Sequence, residues 1–221
     1  MASEEEYDTT IRCSKVLAVE GKDEMNLFKA LMRDMGFNDD DFEIRKVGGI
    51  SQFKTKIPAL VKMRGFSDVK ILALVRDAEG DADAAFQSIR SILLREKLDP
   101  PERANQFSDG VPKVGIFIMP GNSNEGMLES LCLCAVKDHP AMKCVDDFID
   151  CASRLDDPPK NPEKAKCQAF LAAMPKIVTH VGLGAQKGYW FFESDEWTDL
   201  KSFLDSGFRE SPMSGNAPTT S

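Results

Sequence analysis

The stretch at residues 69–75, VKILALV, is the strand candidate that most constrains the fold of this chain. It is apolar enough to be buried on both faces, which is typical of strands in parallel sheets that helices cover on two sides. Further strand candidates lie at residues 14–19, 42–47 and 114–119, and helical patterns separate them. Strands that alternate with helices at this spacing predict a parallel sheet wound in βαβ units.

Helical patterns fill the segments between these strands and dominate the second half of the chain. Each carries apolar residues at the 3.6-residue spacing that places them on one face of a helix. A polar loop is predicted at 98–112, and a short aromatic strand candidate lies at 189–192. The predicted helices cover residues 23–35, 51–63, 82–97, 125–136, 141–154, 161–173 and 195–204.

We therefore predict an α/β fold with a mainly parallel four-stranded sheet, flanked by helices and followed by a mostly helical C-terminal extension. A chain of 221 residues is long enough to bury one full core. The expected divisions are a flexible acidic lead-in at 1–13, an α/β core at 14–121, a helical extension at 122–205 that packs on the core and completes its site, and a disordered tail at 206–221.

Composition narrows the expected location and partners. No apolar run approaches the ~20 residues of a membrane span, and the acidic N-terminus lacks an apolar signal core, so we expect a cytoplasmic protein without membrane contact. The six cysteines include no Cys-x-x-Cys pair and the two histidines are isolated, which disfavours a structural zinc site. The net charge of -8 opposes long-range attraction of nucleic acid.

Acidic side chains follow two of the predicted strands at the points where those strands end. Glu20 follows the first strand and Glu24 lies one helical turn further on, while Asp77 and Glu79 follow the third strand. Parallel sheets place their sites beyond the carboxyl ends of the strands. Carboxylate pairs that meet there repel one another unless a cation lies between them. Hard oxygen donors of this kind suit Mg²⁺ or Mn²⁺.

The alternative interpretation is that Glu20 and Asp77 cap helix N-termini and that the other carboxylates are solvated. Asp81 is interpreted mainly as a helix-start residue and is a secondary candidate for the site. Lys187 lies between glycine-rich stretches, where a cation could approach a phosphate, although a solvated loop charge is the default. The aromatic cluster at 189–192 favours core packing over base stacking.

The segment VEGKDE at 19–24, followed by an apolar strand and Asp77-Ala78-Glu79, resembles the Toprim family. The signature of that family is a glutamate after the first strand and an Asp-x-Asp after a later one, together binding Mg²⁺. The resemblance implies a Toprim-like Rossmannoid fold in which Glu20 is catalytic and also a metal ligand. It implies Glu24, Asp77 and Glu79 as further ligands, although Glu79 stands where the family has aspartate.

Several branches of the Toprim family are excluded by what this chain lacks. A topoisomerase needs a nucleophilic tyrosine on a separate domain, and no such domain accompanies Tyr7 or Tyr189. The cysteine zinc modules of primases and recombination mediators are absent from the sequence. The stretches at 115–121, 126–131 and 184–190 look most like a group of small stand-alone Toprim-like proteins of unassigned function.

Two later motifs are similar to elements of the overcoming-lysogenization-defect (OLD) nucleases of the same family. Residues 128–131, LESL, are similar to a Leu-Glu-x-x-Leu element, which implies Glu129 as a metal ligand. Residues 164–172, KAKCQAFLA, are similar to a helix whose lysine faces the metals, which implies Lys164 as catalytic. A shift of two positions selects Lys166 instead. The alternative is that these side chains only face solvent on amphipathic helices.

The resemblance implies an Mg²⁺-dependent phosphodiesterase or nuclease that acts on nucleic acid. In that hypothesis the carboxylates hold one or two ions, and the lysine neutralises charge that develops in the transition state. The second hypothesis is a non-catalytic or regulatory module that binds metal, a nucleotide or a protein. Because OLD-type relatives carry an ATPase beside their Toprim part, the resemblance also implies a separate ATPase as a candidate partner.

Overall fold

The computed structural model describes residues 9–121 and 125–209. Its centre is a five-stranded sheet with the order β2-β1-β3-β5-β4. Four strands are parallel, and β4 pairs antiparallel to β5 at one edge. The strands are β1 (Lys15–Val19), β2 (Glu43–Lys46), β3 (Ile71–Asp77), β4 (Gln106–Phe107) and β5 (Lys113–Met119).

Eight α-helices surround the sheet within the described residues, and five of them follow its last strand. This is the predicted mixed α/β class with a helical C-terminal part. The helices are α1 (Lys22–Asp34), α2 (Ile50–Val61), α3 (Ala82–Arg95), α4 (Leu128–Ala135), α5 (Met142–Ala152), α6 (Pro162–Ala172), α7 (Val181–Gln186) and α8 (Thr198–Phe208).

The prediction of four strands is wrong by one, because β4 lies inside the segment that we predicted as a polar loop. Two residues are too few to show the alternation that identifies a strand. The strand candidate at 189–192 is also wrong, since these residues form irregular structure and turns. The ring of Trp190 is buried there, stacks on Phe170 and donates from Nε1 to the Val181 carbonyl at 2.8 Å.

The two faces of the sheet bury separate cores, as the period of two along each strand requires. On one face, residues such as Val16 and Leu72 pack with α2 and α3. On the other face, residues such as Leu17 and Phe117 pack with α1 and with helices α4 to α8. The C-terminal helices therefore cover the same face as α1, which places them beside the residues that follow β1 and β3.

Both described ends of the chain pack on the rest of the fold. Residues 1–8 of the expected lead-in and 210–221 of the expected tail lie outside the described residues. Ile11 is buried, and its N–H donates to the Arg64 carbonyl at 2.8 Å. Helix α8 continues to Phe208, which is also buried. Packing thus begins before residue 14 and extends past residue 205.

The helices are short compared with the ~20 residues that a membrane crossing requires. In residues 9–121 and 125–209, none of them has both the length and the apolar character for such a crossing.

Candidate functional site

Glu20 and Asp77 meet at the carboxyl edge of the sheet. Strands β1 and β3 are adjacent and parallel, so the residues that follow β1 lie beside the end of β3. The backbone N–H of Asp77 donates to Oε1 of Glu20 at 3.2 Å. The two strand-end carboxylates are therefore neighbours, as the pattern of buried strands predicts.

Two helices bring further carboxylates to the same place. Glu24 lies in the first turn of α1, and Glu129 lies in the first turn of α4. Together with Asp77 they line a cleft of about 560 Å³, which we call the carboxylate cleft. Lys164 of α6 also lines this cleft, and Asp23 and His180 approach each other on its wall, with Nδ1 of His180 3.7 Å from the aspartate oxygen.

Asp77 is the most electrostatically perturbed of these carboxyl groups. Burial raises its pKa to about 8, and the negative charges of Glu20, Glu24 and Glu129 contribute to that rise. A hydrogen bond of 3.0 Å from the Leu128 N–H to Oδ1 opposes the shift. Burial also raises the pKa values of Glu20 and Glu24. Burial and the neighbouring carboxylates thus disfavour the charged forms of these three groups.

Asp77 lies at a helix N-terminus, as the alternative interpretation of the sequence allows, but that helix is α4 and not α3, which follows Asp77 in the chain. Its acceptor oxygen receives the first N–H of α4, far along the chain. Helix α3 is capped by Asp81, whose Oδ1 accepts from the Ala84 N–H at 2.9 Å. Helix α1 begins after Gly21 without a side-chain cap, and Oε1 of Glu20 accepts the Asp77 N–H.

Two cations lie close to the carboxylates. The Nζ of Lys164 is 3.9 Å from Oε1 of Glu129, and the Nε of Arg76 is 4.0 Å from Oε1 of Glu20. Lys166 instead pairs with Asp146 on α5 at 2.5 Å. Of the two lysines that the sequence leaves open, the structure brings Lys164 to the cleft and turns Lys166 toward α5.

Arg76 is a residue of this site that the sequence patterns do not identify. It is 5% exposed, and its Nε has no hydrogen-bond partner among the described atoms. Its guanidinium lies 5.7 Å from the centroid of the Phe53 ring. The available signal was a charged side chain inside an otherwise apolar strand, because a buried charge needs a partner such as Glu20.

Glu79 and Lys187 lie apart from the first cleft. Glu79 is exposed and has a φ of 54°. Its backbone N–H donates to the Gly126 carbonyl at 2.9 Å, and the Gly126 N–H donates to the Glu79 carbonyl at 2.9 Å. Glu79 lines a second cleft of about 450 Å³, together with Glu163. Its charge still contributes to the raised pKa of Glu20. Lys187 is exposed at the C-terminal end of α7 and is not part of the first cleft.

The donor chemistry of the cleft fits a hard divalent cation, since carboxylate oxygens are the ligands that Mg²⁺ and Mn²⁺ prefer. Across residues 9–121 and 125–209, however, no three Asp, Glu, His or Cys side chains are already arranged around one ion position. Carboxylates without a counter-ion repel one another, which favours side-chain conformers that keep them apart. Binding of an ion among these carboxylates would therefore require rotation of their side chains.

Comparisons with known proteins define the family but not the chemistry. The family model described as "Protein of unknown function (DUF3226)" matches residues 14–209. No curated relative matches the chain.

Solved structures with a related overall shape include C-terminal regions of OLD proteins. That of Burkholderia pseudomallei is 16% identical, with a TM-score of 0.48 over 89% of this chain and 99% of that one. That of Xanthomonas campestris pv. campestris is 15% identical, with a TM-score of 0.45 over 88% and 95%. A hypothetical protein from Pyrococcus horikoshii OT3 is 13% identical, with a TM-score of 0.39 over 89% and 95%. At these scores, the similarity supports no inference about activity.

Proposed function

The chain belongs to the DUF3226 family of proteins of unknown function, and we propose that it is a divalent-metal-dependent phosphodiesterase of Toprim type that acts on nucleic acid. The convergence of four carboxylates from separate elements supports this proposal. They are contributed by the ends of β1 and β3 and by the first turns of α1 and α4. The order of these residues along the chain is also the order of the Toprim motifs that the sequence resembles.

Glu20, Glu24, Asp77 and Glu129 would hold the ion. The raised pKa of Asp77 means that this carboxyl group retains a proton near neutral pH when no cation balances its neighbours. Binding of a divalent ion would release that proton, so that metal affinity increases with pH. When bound, Mg²⁺ or Mn²⁺ supplies the Lewis-acid chemistry that activates a phosphodiester toward water. Glu79 is left out of the proposed donor set because it lines the other cleft.

Lys164 would contact the phosphate. Its side chain is 59% exposed at the cleft, while Glu129 beside it is 16% exposed, so the lysine lies nearer to the solvent. In that position its ammonium group can neutralise charge that develops on the phosphate oxygens.

We expect Lys164→Met to lower kcat by at least ~10-fold, because the variant lacks one group that stabilises charge in the transition state. Metal affinity should be retained or increased, since a positive charge is removed beside Glu129. Lys166→Met is the matched control on the same helix, because Lys166 pairs with Asp146 away from the cleft. Steady-state kinetics and metal titration calorimetry on both variants provide the measurement. Equal losses in the two variants would contradict the assigned role of Lys164.

The proposal is tested with labelled single-stranded DNA, double-stranded DNA and RNA in the presence of Mg²⁺, Mn²⁺ or EDTA. We expect cleavage with metal, none with EDTA, and at least a ~10-fold decrease for Glu20→Gln, which removes the charge of a proposed ligand. Glu96→Gln is a control with the same change in charge. Glu96 caps the C-terminal end of α3, whereas Asp77 precedes the N-terminal end of that helix. Cleavage that persists in Glu20→Gln or in EDTA would exclude the proposed mechanism.

A second candidate function is a non-catalytic module that binds metal, a nucleotide or a protein. It is favoured by the net charge of -8 and by the position of Glu79, which lines the other cleft. Calorimetry separates the two proposals, because metal binding without cleavage of any of the three polymers would support the binding module. Co-purification with an ATPase would then identify a partner for it.

A further inference from the structure

The backbone on both sides of His180 is held by hydrogen bonds from other parts of the fold. The Thr179 carbonyl accepts from Nε2 of Gln168 on α6 at 2.9 Å. The Val181 carbonyl accepts from Nε1 of the buried Trp190 at 2.8 Å. Residue 180, which directly precedes α7, is therefore anchored through both of its neighbours in the chain.

The side chain of His180 is exposed at the carboxylate cleft and is not packed in the core. It is 60% exposed and does not cap α7. It lines the same cleft as Asp77, Glu129 and Lys164. An exposed polar side chain on an anchored backbone is well placed to meet a ligand, because little ordering of the backbone is needed when the ligand binds.

Asp23 is the acidic neighbour of this imidazole on the wall of the cleft. Nδ1 of His180 lies 3.7 Å from the Asp23 oxygen, which is beyond the range of a hydrogen bond but close enough for Coulomb attraction. When the ring is protonated, this attraction orients Nδ1 toward the carboxylate. Nε2, on the opposite side of the ring, then carries a second proton that a ligand in the cleft can accept.

We propose that His180 is a further catalytic residue of this site, which donates a proton to the ester oxygen that leaves when the phosphodiester is cleaved. The inference rests on the proposed function and adds to it the group that protonates the leaving oxygen. An alkoxide is a strong base, so its departure is easier when a proton reaches it in the transition state. Histidine is the side chain that most often transfers such a proton.

The step is a hydrolysis in which the oxygen of a water molecule forms a bond to phosphorus. The bond from phosphorus to the leaving oxygen breaks, and its electron pair stays on that oxygen. The proton of Nε2 of His180 passes to the same oxygen and gives an alcohol. The proton that the water loses passes to solvent, from which the imidazole takes up a proton before the next turnover.

The test compares two oligonucleotides of one sequence, chosen as one that the wild-type protein cuts with Mn²⁺. The ends of the products identify the oxygen that leaves, and in the second oligonucleotide sulfur replaces this oxygen. A thiolate is a much weaker base than an alkoxide and leaves without a proton. We expect His180→Ala and His180→Gln to lose about 100-fold in the rate of cleavage of the oxygen substrate, and less than ~3-fold with the sulfur substrate.

Two controls separate this role from an effect on folding or on the metal. Thr179→Ala changes an exposed neighbour that does not line the cleft, and it should retain the wild-type rates. Calorimetry should give the same Mn²⁺ affinity for His180→Ala as for the wild type, because the imidazole is not in the proposed donor set.

Equal losses with the oxygen and sulfur substrates would overturn the inference, because the imidazole would then not serve the leaving group. Wild-type rates in His180→Ala would overturn it as well, and so would a loss of Mn²⁺ affinity, which would make His180 a metal ligand. Failure of the proposed function gives a different result: the wild-type protein itself cleaves no polymer with metal, and the catalytic role of His180 is then excluded together with the function.

Discussion

The Asp77→Asn protein is expected to be more stable than the wild type without metal and to lose metal-dependent cleavage by at least ~100-fold. The loss of cleavage follows from the removal of a charged donor from the carboxylate cleft, which should have a larger effect than the loss of a residue that only supports a ligand. The gain in stability follows from the environment of the carboxyl group, which is buried beside three other acidic residues. Asparagine retains an oxygen that can accept the Leu128 N–H.

The sign of the stability effect depends on pH. Burial and the neighbouring carboxylates raise the pKa of Asp77 from 3.8 to about 8 in the folded state. Its contribution to stability is therefore fully present below about pH 4 and is lost as the pH rises toward 8. At pH 7 we expect the variant to gain about 1–3 kcal/mol in the free energy of unfolding, which raises Tm by several degrees. At pH 4 the difference should vanish.

Thermal unfolding in EDTA between pH 4 and pH 8 measures this difference, with the exposed carboxylate variant Asp83→Asn as the control. Addition of Mg²⁺ should then raise the Tm of the wild type and not that of Asp77→Asn, since a ligand stabilises only the state that binds it. A Tm of Asp77→Asn equal to that of the wild type throughout this pH range would show that other groups of the folded protein balance the charge of the Asp77 carboxylate. Cleavage retained by Asp77→Asn would show that Asp77 is not part of the catalytic centre.

The second large effect is expected at Gly182, where α7 packs on the first turn of α1. A Cβ at this position would lie 2.5 Å from the carbonyl oxygen of Asp23 and 2.6 Å from Cβ of Asn26. The backbone of α1 cannot yield as a flexible side chain would, so Gly182→Ala should force the two helices apart. We expect a decrease of up to about 3 kcal/mol in the free energy of unfolding.

The same substitution should also weaken the proposed site, because Glu24 lies in the turn of α1 that α7 supports. Urea unfolding and metal titration are the two measurements. Gly80→Ala is the matched control, since an added Cβ there meets no atom within 4 Å. A Gly182→Ala protein as stable as Gly80→Ala would show that α7 can move away from α1 without loss of stability.

The sequence predicts the centre of this fold better than its margins. Strands β1 and β3 are buried apolar runs, and the rule that parallel strands place sites at their carboxyl ends brings Glu20 and Asp77 together. The strand β4 has two residues and α7 has six, two of them glycine, so neither shows a usable period. Their positions depend on tertiary packing, such as the close approach of the Phe107 ring to Gly115.

The candidate site was only partly accessible from the sequence. The proximity of Glu129 to the strand-end carboxylates depends on how α4 returns to the sheet, which local patterns do not encode. Motif resemblance selected Glu129 and left Lys164 and Lys166 open, and the distances in the structure separate the two lysines. The displacement of Glu79 was not predictable, because it follows from a positive φ and a backbone bridge to Gly126. The roles of these residues remain predictions.

The separation of the two cores has a consequence for how the chain can be divided. One face of the sheet is covered entirely by α2 and α3 among the described helices, whereas the other depends on helices from both halves of the sequence. A fragment that ends at residue 121 would keep α1 but would leave the face that carries Leu17, Val75 and Phe117 without the C-terminal helices that also cover it. Such a fragment would carry an apolar surface prone to self-association. The α/β core and the C-terminal helices are therefore not independent modules. A chimaera that exchanged one of them for that of a relative would have to preserve the packing between the two.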